Sequence, residues 1–226
     1  MKKIIIAIDG PCASGKSTVC DIIAQKLNIN HLSSGALYRA LTLFLIENNF
    51  DFECIKNEKF KNKDCEICFK KLLKNVKIKV KFDNFIQKII LNGKDRTDEL
   101  NSEQISIYSS IISPIKIVRE FIKKIQVNLA KKGNLILDGR DITSEVLKNA
   151  KNKFYITASA EVRAKRRHLQ NPTESYEKIL EDIKLRDYRD TTRKLCPLKI
   201  VSDAIIIDST NLTISETADK IIENLK

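Results

Sequence analysis

Tryptophan is absent from this chain of 226 residues, and aromatic residues make up only 6%. No aromatic-rich motif offers a platform for stacked bases, which weighs against a single-stranded nucleic-acid binder. Histidine is nearly absent too, with only His31 and His168. Six cysteines are scattered, with one C-x-x-C at Cys65 and Cys68 and no second such pair. A structural zinc site usually needs four ligands, so the supply is short. The cysteines are expected to be buried or inert thiols, a Cys65–Cys68 redox pair being the alternative. No apolar run approaches the roughly 18 residues of a membrane-crossing helix. The opening "MKKIIIAIDG" has a leader-like start, but its apolar stretch stops at Asp9, short of an h-region of about 7–15 residues. A cytoplasmic protein with a buried first strand and no membrane partner is expected. Carboxylates are the scarcer charge, 29 against 41 lysines and arginines, which leaves a net +12. That balance favours anionic partners such as nucleic acid, acidic lipid or phosphorylated small molecules. It also fits a surface simply filled with lysine.

What is present reads as a globular α/β chain, 42% hydrophobic and 31% charged. Lys3–Ile8, Leu135–Leu137, Phe154–Ile156 and Ala204–Ile207 are short apolar strands. Ser17–Leu27 and Gly35–Ile46 carry apolar residues at helical spacing, and Thr213 with Glu216 signals a capping box for the last helix. Strands alternating with helices imply a parallel sheet covered on both faces. One stretch breaks that rhythm. "VKIKVKF" (76–82) alternates with period two, and "FIQKIILNG" follows Asp83-Asn84, so an antiparallel hairpin is expected. Residues 50–113 therefore read as an insertion, with a helix near Asp64–Leu73, into a core of 1–49 and 114–226.

"GPCASGKS" lies between the first strand and the first helix and matches G-x-x-x-x-G-K-[ST] in its required context. Gly10, Pro11, Cys12, Ala13, Ser14 and Gly15 would wrap a phosphate chain with backbone N–H groups at a helix N-terminus. Lys16 would reach the β- and γ-phosphates and Ser17 would ligate Mg²⁺, with Thr18 one step further into the helix. The motif names an ATP-like donor and leaves the acceptor open. GTPases, nucleic-acid ATPases and small-molecule kinases all use it.

Four further segments are polar where α/β proteins place ligands, at the carboxyl ends of strands. They are "SSGALYR" (33–39), "SSIISPIKIVR" (109–119), "LILDGRD" (135–141) and "LRDYRDTTR" (185–193). Each has a plainer reading. Arg39 suits a helix surface, Asp138 and Asp141 suit helix caps, and the last segment suits a solvated helix of paired charges. On a helix, however, Arg186, Asp190 and Arg193 fall on one face.

The order "IDGPCASGKST", "SSGALYR", "DGRD", "RDYRDTTR", Pro197-Leu198 and "DAIIIDST" spans nearly the whole chain and resembles the bacterial cytidylate kinase family of the nucleoside monophosphate kinase superfamily. The resemblance implies a three-layer P-loop NTPase fold with a parallel central sheet, an inserted NMP-binding domain and a lid at about 160–195. It implies ATP and Mg²⁺, with CMP or dCMP as acceptor, in a monomer that binds no nucleic acid. Ser34, Tyr38 and Arg39 would line the CMP pocket, and Ser110, Arg119 and Asp141 would read the cytosine edge. Arg39, Arg140 and Arg193 would bind phosphate, the last two with Lys16 acting in catalysis. Arg186 and Asp190 would hold the pentose hydroxyls. Arg163 and Arg167 would border the lid near ATP, and Asp138 would support Mg²⁺ together with Ser17.

The chain departs from the family pattern in places. Ser33 stands where an aspartate is usual. Ile142-Thr143-Ser144-Glu145-Val146 replaces a glycine-containing run, Gln126-Val127 replaces a glutamine–arginine pair, and an arginine usual near Asn101 is missing. These bear on loop shape and substrate affinity, and leave Lys16 and the pocket residues intact.

Overall fold

In a computed structural model of the chain, the described residues are 3–56, 58–170 and 172–226. Met1 and Lys2, the start of the leader-like stretch, lie outside them. The chain forms two compact units: Met1–Leu32 with Asn84–Ile86 and Val127–Lys226, and Ser33–Asp83 with Gln87–Gln126.

In chain order the elements are β1 (Ile5–Asp9), α1 (Lys16–Leu27), β2 (Asn30–Ser33), α2 (Ser34–Glu47), β3 (Ile55–Lys56), β4 (Lys59–Phe60), α3 (Lys63–Asn75), β5 (Ile78–Asp83), β6 (Ile86–Leu91), β7 (Lys94–Asp95), α4 (Glu103–Ile112), α5 (Lys116–Ala130), β8 (Leu135–Gly139), β9 (Asn152–Thr157), α6 (Ala160–Gln170), α7 (Tyr176–Thr192), β10 (Ile205–Asp208) and α8 (Ile214–Glu223).

The first unit is built on strands in the order β10-β9-β1-β8-β2. β1 runs parallel to β8 and β9, and β9 parallel to β10. Their registers put Asp9 opposite Gly139 and Tyr155, so the carboxyl ends of the strands line up. The chain leaves β1 for one side of the sheet and returns from β8 to β9 on the other. That reversal is where α/β sheets open a ligand crevice. Helix α1 packs on α8, and Ile6, Ile8, Ile23, Phe154 and Ile221 form the middle of a dry core. Thr213 and Glu216 make the expected reciprocal capping box.

The segment after β8 differs from the helix that its polar start suggests. Residues Ile142–Val146 form a single π-helical turn, and β9 follows after a short connection. The buried Asp9 carboxylate explains the turn: it accepts from the N–H groups of Ile142 and Thr143, each at 2.8 Å, and from the Thr143 hydroxyl at 2.6 Å. Those side-chain bonds take the place of a helical start.

The second unit packs α2 on α4. It begins at Ser33, earlier than the 50–113 insertion read from the sequence, because α2 belongs with the helices that follow. Asn84 and Phe85 at the tip between β5 and β6 both take positive φ, as a tight hairpin of right-handed strands requires. An aromatic group gives the unit its own core. Phe50 packs edge-on to Phe52 and Phe69, Phe60 packs against Phe69, and Phe52 stacks on Tyr108 with centroids 4.0 Å apart.

The expectation of six inert thiols is corrected here. Cys54 and Cys65 are disulfide-bonded, and the exposed Cys68 is a free thiol, so the C-x-x-C spacing is not the bonded pair. The antiparallel pairing of β3 with β4 folds the chain back, and Cys54 meets the first turn of α3, with Cα atoms of the bonded pair 5.7 Å apart.

Candidate active site

The first unit carries the loop motif at the end of β1. Gly10 is pressed against β9: a Cβ there would lie 2.0 Å from the Ile156 carbonyl oxygen. Gly15 begins α1 with a left-handed φ of 80°. No side chain caps this helix, and its first turn holds no acidic residue. Its N–H groups thus face outward unneutralised, a ready seat for an anion. Lys16 is buried and curls back, donating from Nζ to the Pro11 carbonyl at 2.7 Å and to Ser14 Oγ at 3.2 Å. Burial, reinforced by the nearby Arg140, pushes its pKa down to about 8. A phosphate chain would reverse that pressure. Ser17 Oγ donates to Asp138 Oδ2 at 3.3 Å. A hydroxyl and a carboxylate are hard oxygen donors, so this pair suits Mg²⁺.

The loop is held from the side by α6 and α7. Arg163 is buried. It donates to the carbonyls of Cys12 at 3.0 Å and Ala158 at 2.8 Å, and pairs with Asp187 at 2.7 Å. Asp187 also accepts from the Cys12 N–H at 3.4 Å. Arg163 thus braces the loop through its backbone. Arg167 lies one helical turn beyond Arg163, half-buried on the same helix. Its neighbour Arg166 clasps the carbonyls of Ser209 and Leu212. Arg186 points at the Cys12 sulfur, 3.8 Å away. Burial works against ionisation of the Cys12 thiol, but Arg140, Arg186 and Lys16 together hold its pKa below the ordinary thiol value.

Beyond the loop the charges alternate. Arg140 Nε donates to Asp190 Oδ2 at 2.7 Å. Arg193 lies 3.8 Å from Asp190 and 3.8 Å from Asp141, and its Nε donates to the Cys196 carbonyl at 2.7 Å. Arg193 ends α7 with extended backbone rather than continuing it, and is buried there. Burial opposes the Arg140 charge, yet Asp190 and the other anions around it hold its pKa above the ordinary arginine value. "LRDYRDTTR" is therefore two-sided: Arg186 and Asp187 reach the loop, while Asp190 and Arg193 join Arg140 and Asp141.

The second unit holds the other predicted residues. Ser34 opens α2 and is buried, with Gln126 Nε2 donating to its Oγ at 2.6 Å. Arg119, also buried, places its guanidinium 6.0 Å from the Tyr38 ring centroid and donates to the Ser113 carbonyl at 3.0 Å. Arg39 donates to Asn101 at 3.1 Å. Ser110 is turned onto its own helix, donating to the Ile107 carbonyl at 2.7 Å.

Sequence reasoning passed over Asp9, Asp187 and Gln126. Asp9 served only to end an apolar run, although a carboxylate closing a fully buried strand is itself a signal that donors surround it. Asp187 lies off the face that helical phase gives to Arg186, Asp190 and Arg193. Gln126 was noted only for the residue that follows it.

The cytidylate kinase family model matches residues 6–226. Cytidylate kinase of Caldicellulosiruptor saccharolyticus is 43% identical over 99% of this chain and 96% of its own length. Cytidylate kinase of Clostridium botulinum (strain Langeland) is 42% identical over 100% of this chain and 99% of its own. Among solved structures, an uncharacterised protein from Eubacterium ventriosum shares the fold, with a TM-score of 0.51 at 17% identity over 98% of this chain and 97% of that one. With its phosphate loop, its alternating arginine–aspartate wall and a match over nearly its full length, this chain belongs to the cytidylate kinase family.

Proposed function

We propose that this protein transfers the γ-phosphoryl group of ATP to CMP or dCMP, giving ADP and CDP or dCDP. The observation that carries the reading is the pairing, in one unit, of an uncapped loop-and-helix anion seat with a wall of arginines, Arg193 buried and Arg140 half-buried, held by aspartates. The acceptor phosphate is largely ionised near neutral pH, since its second pKa is about 6, and so needs no strong base. The difficulty is bringing two anions together. Loop N–H groups and Lys16 neutralise the donor, and Arg140 and Arg193 exchange their aspartate partners for phosphate oxygens. Arginine suits that exchange, being permanently charged and fork-shaped. Ser17 and Asp138 would hold Mg²⁺, which when bound would supply further positive charge against the phosphates.

We assign Arg186 and Asp190 to the pentose, and Asp141 to the cytosine amine, which a carboxylate can accept and which uracil lacks. In the second unit, the NMP-binding one in this reading, Ser34, Tyr38, Arg39, Ser110 and Arg119 serve the nucleotide. The segment 160–195, spanning α6 and α7, is the lid. Arg163 and Arg167 stand on α6, where Arg163 sets the loop's shape. Water competes as acceptor, so a lid that completes the site only around both substrates is required chemistry. The protein works as a cytoplasmic monomer in this reading. ADP release is measured with each nucleoside monophosphate, and separately with single-stranded DNA. Turnover with CMP and dCMP above UMP, AMP and GMP is expected. DNA stimulation without monophosphate turnover overturns the proposal.

A further inference from the structure

Beneath the loop motif lies a group of side chains of which the proposed phosphoryl transfer uses only Asp138. Cys20 on α1, His31 on β2 and Asp138 on β8 are all buried, and their sulfur, nitrogen and oxygen ligand atoms lie within 4.8 Å of one another. His31 Nε2 is 2.9 Å from Asp138 Oδ1, and His31 Nδ1 is 2.7 Å from Asp21 Oδ1. Among the described residues this is the one cluster of three such ligands.

We propose that Cys20, His31 and Asp138 form a binding site for a divalent transition metal of the zinc class, with Asp21 orienting the imidazole from behind. The donor set carries the assignment. A thiolate, an imidazole and a carboxylate are ligands that zinc accepts together, three protein ligands leaving a fourth position open. Mg²⁺ prefers all-oxygen octahedral shells, so a sulfur and a nitrogen select against it.

The outer contact is equally telling. A metal-bound histidine nearly always gives its other N–H to a carboxylate, carbonyl or water, which fixes tautomer and ring orientation. Asp21 takes that place at Nδ1, leaving Nε2 on the side of Asp138. In a tetrahedral zinc site, neighbouring N and O ligands stand about 3.3 Å apart. The 2.9 Å between Nε2 and Oδ1 therefore needs to open by only a few tenths of an ångström.

Asp138 is then shared. Its Oδ2 faces Ser17 and the hard-ion position, while its Oδ1 faces His31 and the softer one. Cys20 and His31 became visible as ligands only in three dimensions. Counting cysteines and histidines along the chain finds too few, because the third ligand is an aspartate from β8.

The test uses the full chain, stripped with a chelator and titrated with Co²⁺ without nucleotide, so its outcome is independent of the kinase reading. One ion per chain at micromolar concentration is expected, with a sulfur-to-cobalt charge-transfer band and tetrahedral visible bands. Zn²⁺ displaces these bands and millimolar Mg²⁺ does not. Cys20→Ser removes the charge-transfer band, and Asp21→Asn weakens affinity by about 10–100-fold, each variant checked for folding by circular dichroism. The absence of a band in the wild-type chain overturns the proposal and leaves the cluster a hydrogen-bonded support for Asp138. A band that survives Cys20→Ser overturns it too, by placing the ion on another cysteine.

Discussion

Arg193 sits within 4 Å of two aspartates and is buried, so its guanidinium is fixed before any substrate arrives. A buried arginine held that way is positioned for an anion, and truncating it should remove transition-state stabilisation rather than binding alone. Arg193→Ala is expected to lower kcat/KM for CMP by at least about 100-fold, equivalent to about 2.7 kcal/mol. Steady-state kinetics with a parallel melting curve check this, and unchanged CMP turnover in a stable variant returns Arg193 to a structural role. Asp141 is tested by selectivity instead. Asp141→Asn should narrow the CMP-over-UMP ratio of kcat/KM by about ten-fold or more, since a charged acceptor for the amine is lost. Equal losses on both substrates sink the assignment. Helical spacing made Arg186, Asp190 and Arg193 legible as site residues, but not their division: Arg186 turns to Cys12, while Asp190 and Arg193 join Arg140 and Asp141. Asp9 and Asp187 were not legible, because their partners lie 133 residues away at Ile142 and 175 away at Cys12.

At the scale of elements, the loop depends on β9 as much as on its own motif. The motif explains Gly10 by its approach to phosphate, yet the nearest obstacle to a side chain is the Ile156 carbonyl oxygen, part of the sheet itself. Gly10→Ala should therefore destabilise the protein by more than about 2 kcal/mol in urea unfolding. Gly93→Ala is the contrasting case. It also has a positive φ, 92°, but nothing lies within 4 Å of its Cβ. Its cost should stay near the roughly 1–2 kcal/mol of left-handed backbone. Similar losses at both positions contradict the account. In the second unit, a reductant should lower the melting temperature by opening the Cys54–Cys65 loop, an effect of about 2–3 kcal/mol for so short a closure. A Cys54→Ser chain should melt alike with and without reductant. The sequence made most elements legible through periodicity, including the hairpin and α3. It hid β2, whose "NHLS" has little strand pattern, and the π-helical turn, whose cause is Asp9 far away.

For the whole molecule, that same carboxylate sets a pH dependence of folding. Asp9 closes β1 and receives three donors from the loop after β8, so it joins the two strands at the sheet's switch point. Burial raises its pKa to about 6 from 3.8, although the Thr143 and Ile142 bonds pull the other way. The sign follows from linkage. Below pH 3.8 both folded and unfolded carboxyls are protonated, and Asp9 contributes its full stability. Between 3.8 and about 6 the unfolded chain ionises first, which draws the equilibrium toward unfolding. Above about 6 both forms are ionised and the loss is complete, at about 3 kcal/mol. Many other groups titrate in this window, so the wild-type curve alone does not isolate it. Asp9→Asn supplies the reference: its amide disturbs the Thr143 bonds by a constant amount but does not titrate. Urea unfolding of both proteins at intervals from pH 4 to pH 7 should show the wild-type advantage shrinking by a few kcal/mol as pH rises. Parallel stability curves would mean that the junction between β1 and the following loop is as comfortable with charge as water is.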